Sequence, residues 1–383
     1  MRFGYLALIV VLTAFNSVNS SAAMYEPRVL KLVPIERVLN NLNARLLKLD
    51  LSLDDRAMLE FQIGRLHSMA YAEKNENLAL KPEGDSFRAC PYAGSGTDYQ
   101  QFRVNALIEP AKQSVAAKHL EEAIVHLRRS VAFKPKFLPS KLGLAWCLDQ
   151  AGEKSAALPL YREVFKESYA LEKDRGGMSG RSAGVETAGY LLKLLDPKND
   201  ACEIVDVRAK SAELERGFAS ITPLVVPLHP DCQAEALIQP GSVRFDLDGF
   251  GIRTFHQWPG RQSGWLVYDA DRSGSITSGL QMFGQSTFWI FWRDGYEALS
   301  ALDANDDGIV EGAETDGLAV WTDLNCNGKS DPGEVRTLKQ CGIESLSCRG
   351  RLDASGLLFS ENGVSFCGGG KGDSYDLVLQ GER

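Results

Sequence analysis

Nowhere in the chain do two cysteines stand as C-x-x-C, which argues against a zinc ribbon and against a thioredoxin-like redox site. No serine sits in a G-x-S-x-G elbow, so the nucleophile of an α/β-hydrolase is missing. The stretch "GGGKGDS", Gly368 to Ser374, lacks the spacing from a first glycine to Gly-Lys-Ser/Thr that a phosphate loop requires. Positive charge is short too. The 42 lysines and arginines face 50 acids, for a net charge of −8, the wrong sign for a nucleic-acid surface. After the first residues no apolar run approaches the roughly 20 residues of a spanning helix, and "TPLVVPL" is short and holds two prolines. With these signatures gone, a non-enzymatic role is the expectation.

What is present begins with "MRFGYLALIVVLTAFNSVNSSAA". Arg2, an apolar run from Tyr5 to Phe15 and small residues ending at Ala22 and Ala23 have the layout of a secretory signal peptide. Export to a periplasmic or extracellular compartment follows, with the mature chain starting near Met24. All eight cysteines lie beyond that point, so an oxidising compartment permits disulfides. Cys348 and Cys367, each ending a short apolar run, are the leading pair, although sequence does not settle the pairing. At 383 residues the chain is long enough for two or three domains.

From Pro34 the pattern is helical. Ile35, Val38, Leu39, Leu42 and Leu46 recur at the three-and-four spacing of one buried face. A second helical stretch, "DDRAMLEFQIGRLHSMAYAEKNE", carries acids in its first turn. Residues 81–97 are a loop rich in glycine and proline. Then Ala123 and Leu127 recur 34 residues later as Ala157 and Tyr161, with Gly152 at the intervening turn and Pro135 after a helix. This period resembles the tetratricopeptide repeat, which implies a concave surface for a protein or peptide partner. The alternative is a generic pair of helical hairpins. His119, Glu122 and His126 share one helical face, expected to be its charged, solvent side. Four prolines between Pro223 and Pro240 mark an extended connector or edge strand. The expected organisation is therefore a signal peptide at 1–23, N-terminal helices and loop at 24–100, helical repeats at 101–217, a connector at 218–241 and a further domain at 242–383.

That last domain holds the acidic charge. Nine acids and one base, Lys329, lie between Ala301 and Glu334, enough to account for the whole net charge. A twelve-residue calcium loop needs oxygens at positions 1, 3 and 5, a backbone carbonyl at 7, a bidentate carboxylate at 12, and glycine at 6 for the turn. "DANDDGIVEGAE" supplies Asp303, Asn305, Asp307, Ile309 and Glu314, with Gly308 at the turn and Val310 at position 8 free to pack inward. "DLNCNGKSDPGE" supplies Asp323, Asn325, Asn327, Lys329 through its carbonyl, and Glu334, with Gly328 at the turn. It has fewer charges and should bind calcium more weakly. "DADRSGSITSGLQ" has Asp269, Asp271, Ser273 and Ser275 in register, but Leu280 stands at position 12 and Gln281 follows, so only weak binding is expected. "FDLDGFGIRT" has Asp246 and Asp248, then Phe250 where an oxygen is expected, and reads as empty. For these last two, plain polar turns are a credible alternative. Only "TDGLAVWT" separates the first two loops, so they are expected to share one short helix with Leu318, Val320 and Trp321 turned inward. That leaves no room for the helix pairs of a sensor, and calcium is expected to play a structural role. "TFWIFW", Thr287 to Trp292, is expected to pack beneath the loops.

From Val243 to Leu346 these motifs, in this order, resemble the EF-hand-like calcium modules of exported RTX-type bacterial proteins, including the self-processing module of iron-regulated RTX proteins. Phe250 and Gln281 depart from that pattern. The resemblance implies calcium as the cofactor. It also implies an alternative activity, because self-processing members cut an Asp-Pro bond when calcium binds. This chain has Asp196-Pro197 and Asp331-Pro332. The fold class expected overall is α+β and multidomain: an all-α tetratricopeptide-like array, then a small calcium-loop domain poor in regular elements, with short strands.

Overall fold

The computed structural model describes residues 34–73, 110–173, 182–214, 220–230, 232, 237–247 and 253–380. The signal-like segment, the 81–97 loop and the stretch Asp248 to Ile252 lie outside them. The chain is α+β: a helical region precedes a strand-rich one. No helix among the described residues is long and apolar enough to cross a membrane.

Helices α1 (Ile35–Leu46) and α2 (Leu53–Glu73) come first. They are followed by α3 (Pro110–Phe133), α4 (Leu138–Gln150), α5 (Lys154–Glu172), α6 (Ala183–Leu194) and α7 (Ala201–Leu214). Short turns fold successive helices back on one another: Gly152, with φ of 83°, ends the α4–α5 turn, and Ser182 caps α6 by accepting from Val185 N–H. Ala123 and Ala157 are both fully buried, among Leu127, Leu142, Trp146, Tyr161 and Leu191. Small residues stand where these helices meet.

The strand-rich part centres on a nine-stranded antiparallel sheet. Its members are β2 (Leu224–Pro227), β5 (Ser263–Tyr268), β6 (Ile309–Glu311), β7 (Leu318–Trp321), β8 (Val335–Thr337), β9 (Ile343–Ser347), β10 (Arg351–Leu352), β11 (Leu358–Phe366) and β12 (Lys371–Asp376). The order runs β6-β9-β11-β12-β2-β5-β7-β8, with β10 on β11. Two small ladders accompany it, β3 (Ile238–Phe245) with β4 (Thr254–Pro259), and β1 (Ser220–Ile221) with β13 (Leu379–Gln380). The expectation of a domain poor in regular structure understated this sheet, because its strands are short and scattered among loops.

Two segments differ from their sequence reading in kind. Leu224–Pro227, expected in a connector or edge strand, lies inside the sheet between β12 and β5. Its prolines sit only at the ends, so Leu224, Val225 and Val226 keep their N–H groups. Leu318–Trp321, expected on a helix shared by two loops, is β7, buried along its whole length. Four residues closed off by Gly317, at φ of 82°, are too few to nucleate a helix, and burial on both faces suits an interior strand.

Both faces of the sheet are covered. Val225, Trp265, Val267, Ala319 and Trp321 point to one side, against Val243, Phe245 and Trp258 of the β3–β4 hairpin. Trp258, Trp265 and Trp321 meet there with ring centroids 5.3 and 5.5 Å apart. Leu224, Val226, Leu266, Leu318 and Val320 point to the other side, against Ile35, Val38 and Leu42 of α1 and Leu59, Ile63, Leu66 and Met69 of α2. Phe288, Ile290 and Trp292 of the aromatic stretch join this core, whereas Phe291 turns to the helical one. Helix α2 thus faces two ways, since its Phe61 belongs to the helical core. The cores do not follow the division drawn from sequence at residue 100.

Two further expectations are corrected. His126 is not on a solvent face: it is buried, with Nδ1 2.5 Å from Glu60 Oε2, because α2 covers that side of α3. The Nδ1 atoms of His67 and His119 lie 2.9 Å apart, at hydrogen-bond distance. Burial, then the neighbouring His119 and His126, pulls His67 down to a pKa of about 3. Cys348 and Cys367 are both free. Cys348 faces the core at one end of β9, while Cys367, exposed, donates its N–H to Gly342 O at the other end.

Two expected outcomes follow from this packing. A methyl at Gly64 would stand 2.8 Å from Leu127 Cγ and 3.3 Å from the Ala123 carbonyl oxygen, so Gly64→Val should cost about 1–3 kcal/mol by overpacking the α2–α3 contact. Unchanged urea stability in that variant would contradict so close an approach. The second concerns Asp376, which accepts from Gly295 N–H at 2.7 Å. Burial, opposed by that hydrogen bond and reinforced by Asp294, raises its pKa to about 7. A carboxyl raised in the folded state contributes stability below its unfolded pKa, near 3.8, that is lost as pH rises through about 7. Asp376→Asn should therefore match the wild type in melting experiments near pH 4 and exceed it at pH 8, by on the order of 2–4 kcal/mol.

Candidate metal centre

The loops at 269, 303 and 323 share one backbone design. Position 6 is a glycine with positive φ in each, Gly274 at 69°, Gly308 at 89° and Gly328 at 66°. Its N–H donates to the position-1 carboxylate: Gly274 to Asp269 Oδ2 at 3.0 Å, Gly308 to Asp303 Oδ2 and Gly328 to Asp323 Oδ2, both at 2.8 Å. Position 4 is left-handed as well, at Arg272, Asp306 and Cys326, three of the five non-glycine residues with positive φ among those described. Side chains rarely adopt that conformation, and its recurrence at one position marks a repeated structural unit.

In the 303 loop Asp303 is 2% exposed, and its second oxygen, Oδ1, is buried without a hydrogen-bond partner. Burial, together with the charges of Glu314 and Asp307, raises its pKa. Asn305 and Asp307 turn their oxygens to loop N–H groups, at 3.0 Å from Asp307 N and 2.8 Å from Ile309 N. Glu314 reaches back across the loop, with Oε1 2.7 Å from Ala304 N and Oε2 3.3 Å from Glu311 N. Val310, fully buried, pairs with Leu346 of β9.

The 323 loop repeats the plan. Glu334 Oε1 accepts from Leu324 N at 2.8 Å and Oε2 from Asp331 N at 3.0 Å. Asn325 Oδ1 and Asn327 Oδ1 accept from loop N–H groups at 3.2 and 2.7 Å, and Lys329 lends its backbone. Burial raises the Asp323 pKa, while the side-chain amides of Asn325 and Asn327 hold Asp331 below the usual carboxylate range. Ser330, where an apolar residue is expected, accepts from Ile276 N–H at 2.9 Å and so joins this loop to the 269 loop.

The 269 loop departs at its end. Leu280 is buried in the core, and Gln281 takes over the bridging role: its Oε1 accepts from Thr277 N at 2.8 Å, while its Nε2 donates to the Ser275 carbonyl at 2.9 Å. That carbonyl is the one a cation would need at position 7. Asp271 and Ser273 are tied to loop N–H groups, at 3.2 Å each. Among the described residues no three carboxylate, imidazole or thiol groups converge on one cation-sized position. The carboxylates of positions 1 and 12 instead face loop N–H groups. Of the two Asp-Pro bonds, Asp196-Pro197 lies in the α6–α7 turn, where Asp196 Oδ1 accepts from Lys198 N and Asn199 N at 2.8 Å. Asp331-Pro332 lies within the 323 loop.

The oxygen-only donor set of the 303 and 323 loops, with one buried oxygen unpartnered at Asp303, fits a hard cation such as calcium. Asp303, Asn305, Asp307, the Ile309 carbonyl and Glu314 would hold one ion. Asp323, Asn325, Asn327, the Lys329 carbonyl and Glu334 would hold another. The sequence reading missed the bases around the 303 loop. Lys48 pairs with Asp306, Arg45 lies 3.8 Å from the same carboxylate, and Arg349 Nη2 donates to Asp307 O at 2.8 Å. The spacing of Arg37, Asn41 and Arg45 along α1 was a visible signal, a polar stripe running beside the apolar one.

A family model described as the SPM domain matches residues 224–371, from the first residue of β2 into β12. Over 107 residues the chain is 41% identical to the iron-regulated protein FrpA of Neisseria meningitidis serogroup C. The match covers 27% of this chain and about a tenth of that relative's length.

Proposed function

We propose that the strand-rich half is a calcium-stabilised module of EF-hand-like loops in an exported protein, and that the helical half is a tetratricopeptide-like scaffold for a protein or peptide partner. The observation that carries the calcium reading is Asp303. A carboxylate 2% exposed, with one oxygen unpartnered, is costly to keep unless a cation is its partner. The recurrence of the loop backbone and the acidic charge between Ala301 and Glu334 support it. Calcium bound there stiffens the loops that lead into β6 and β8, a structural role. For the helical half, the support is the 34-residue step and a cleft of about 350 Å³ between α5, α6 and α7, lined by Phe165, Tyr169, Leu191 and Val207 with Arg162 and Lys210 at its margin. The signal-like start supports export to the periplasm or beyond.

Calorimetric titration with calcium tests the first part. Two sites are expected, at about 10⁻⁴–10⁻³ M or tighter, the 303 loop filling first because it holds more carboxylates. Stability should rise by about 2.7 kcal/mol at a hundredfold excess over the dissociation constant. Magnesium should substitute poorly, since it demands a tighter octahedral shell. Glu314→Gln should abolish the first site and spare the second. A wild type that shows neither heat nor a melting shift would end the assignment.

A further inference from the structure

The two loops close their ends by different means. In the 323 loop, Thr322, the residue before position 1, donates its N–H to the carbonyl of Glu334 at position 12, at 3.0 Å. The equivalent N–H of the 303 loop, on Leu302, is turned away and bonds Leu299 O in the last turn of helix α8 (Gly295–Ser300). A side chain from far upstream takes its place. Arg37 Nη2 donates to Leu302 O at 3.0 Å and to Glu314 O at 2.6 Å, the same two positions, and Nη1 donates to Asp316 O at 3.2 Å.

The rest of α1 is fastened along the same line. Asn41 Nδ2 donates to Ala301 O and Arg45 Nη1 to Ser300 Oγ, both at 2.8 Å, and Lys48 pairs with Asp306. Ile35, Val38 and Leu42 anchor the opposite stripe in the sheet core. Arg37 is thus held in place by a helix that can neither slide nor rotate without breaking buried contacts.

We infer that α1 is part of the 303 cation site, with Arg37 as the positioning residue that sets the distance between the Asp303 and Glu314 carboxylates. The inference rests on the calcium reading above. One guanidinium does for this loop what a backbone hydrogen bond does for its neighbour, and it aligns the buried, unpartnered oxygen of Asp303 with the carboxylate at position 12. The matched segment 224–371 is therefore an incomplete version of the site, since α1 lies outside it. Coupling between binding events is reciprocal, so whatever α1 contributes to calcium binding, calcium must return to the docking of α1. The α1–α2 hairpin then passes cation occupancy to the helical half.

The test is calcium titration calorimetry on the full chain, in a Glu334→Gln background that isolates the 303 site and a Glu314→Gln background that isolates the 323 site. Adding Arg37→Ala should weaken the 303 site about 10–100-fold, the usual loss when an outer partner of a metal ligand is removed. It should leave the 323 site unchanged, an internal control for global damage. Arg37→Lys should fail to rescue, because a single ammonium cannot hold the Leu302 and Glu314 carbonyls from one nitrogen while a second nitrogen holds the Asp316 carbonyl, as the guanidinium does. Equal affinities with and without Arg37 would overturn the inference while leaving the calcium reading intact. Absence of any binding in the wild type would overturn both. If Arg37→Ala does not fold, hydrogen exchange in the wild type decides: saturating calcium should slow exchange of the α1 amides, and no change there would overturn the coupling.

Discussion

Everything in this molecule depends on the burial of one helix on all sides. Helix α2 presents Leu59, Ile63, Leu66 and Met69 to the sheet and Phe61 to the helical array, while Arg65 lies 5.7 Å from the Phe291 ring at the seam. Its buried surface runs round the helix and takes in Glu60, Gln62, Arg65 and Ser68 along with the apolar residues. Without it the sheet would lose part of the cover on one face, and α3 would lose the neighbour against which Ala123 and Leu127 pack. Helix α1 follows because a hairpin partner of α2 has nowhere to lie except across the same sheet face.

Around the loops the governing constraint is electrostatic crowding. Asp303 and Asp323 are buried beside further carboxylates, and the folded backbone compensates with N–H groups aimed at each of them. The three loops spend their final residue differently. Glu314 and Glu334 keep a carboxylate across the loop, whereas Gln281 substitutes an amide that satisfies the loop from within. An amide can donate as well as accept, and the Gln281 amide does both within the 269 loop. The 269 loop is joined to the 323 loop by the hydrogen bond from Ile276 N–H to Ser330.

Much of this was legible in the sequence, and what was not shares one cause. The apolar stripe of α1, the 34-residue step through Ala123 and Ala157, and each loop's glycine and carboxylate positions are local patterns, and local patterns survive in one dimension. The interior place of Leu224–Pro227 and the strand at Leu318–Trp321 were misread because both are set by partners distant in sequence. Val225 pairs with Trp265 and Tyr375, and Val320 with Leu266 and Arg336. Proline content and inter-loop spacing, the only local cues, pointed elsewhere. Arg37 was legible only as one member of a polar stripe: nothing near it in sequence says that its guanidinium will reach three carbonyls beyond residue 300.

The place of α1 and α2 also has a consequence in time. A ribosome delivers these helices early, but the sheet face that covers them begins only at Leu224 and is finished by strands past residue 340. Until then their apolar stripes have no partner on that side, and the contacts that end this state span most of the chain. Such long-range closure is slow and leaves sticky surface exposed meanwhile. The hairpin is made before the sheet that covers it, so a chain truncated anywhere before the final strands would carry helices lacking part of their cover.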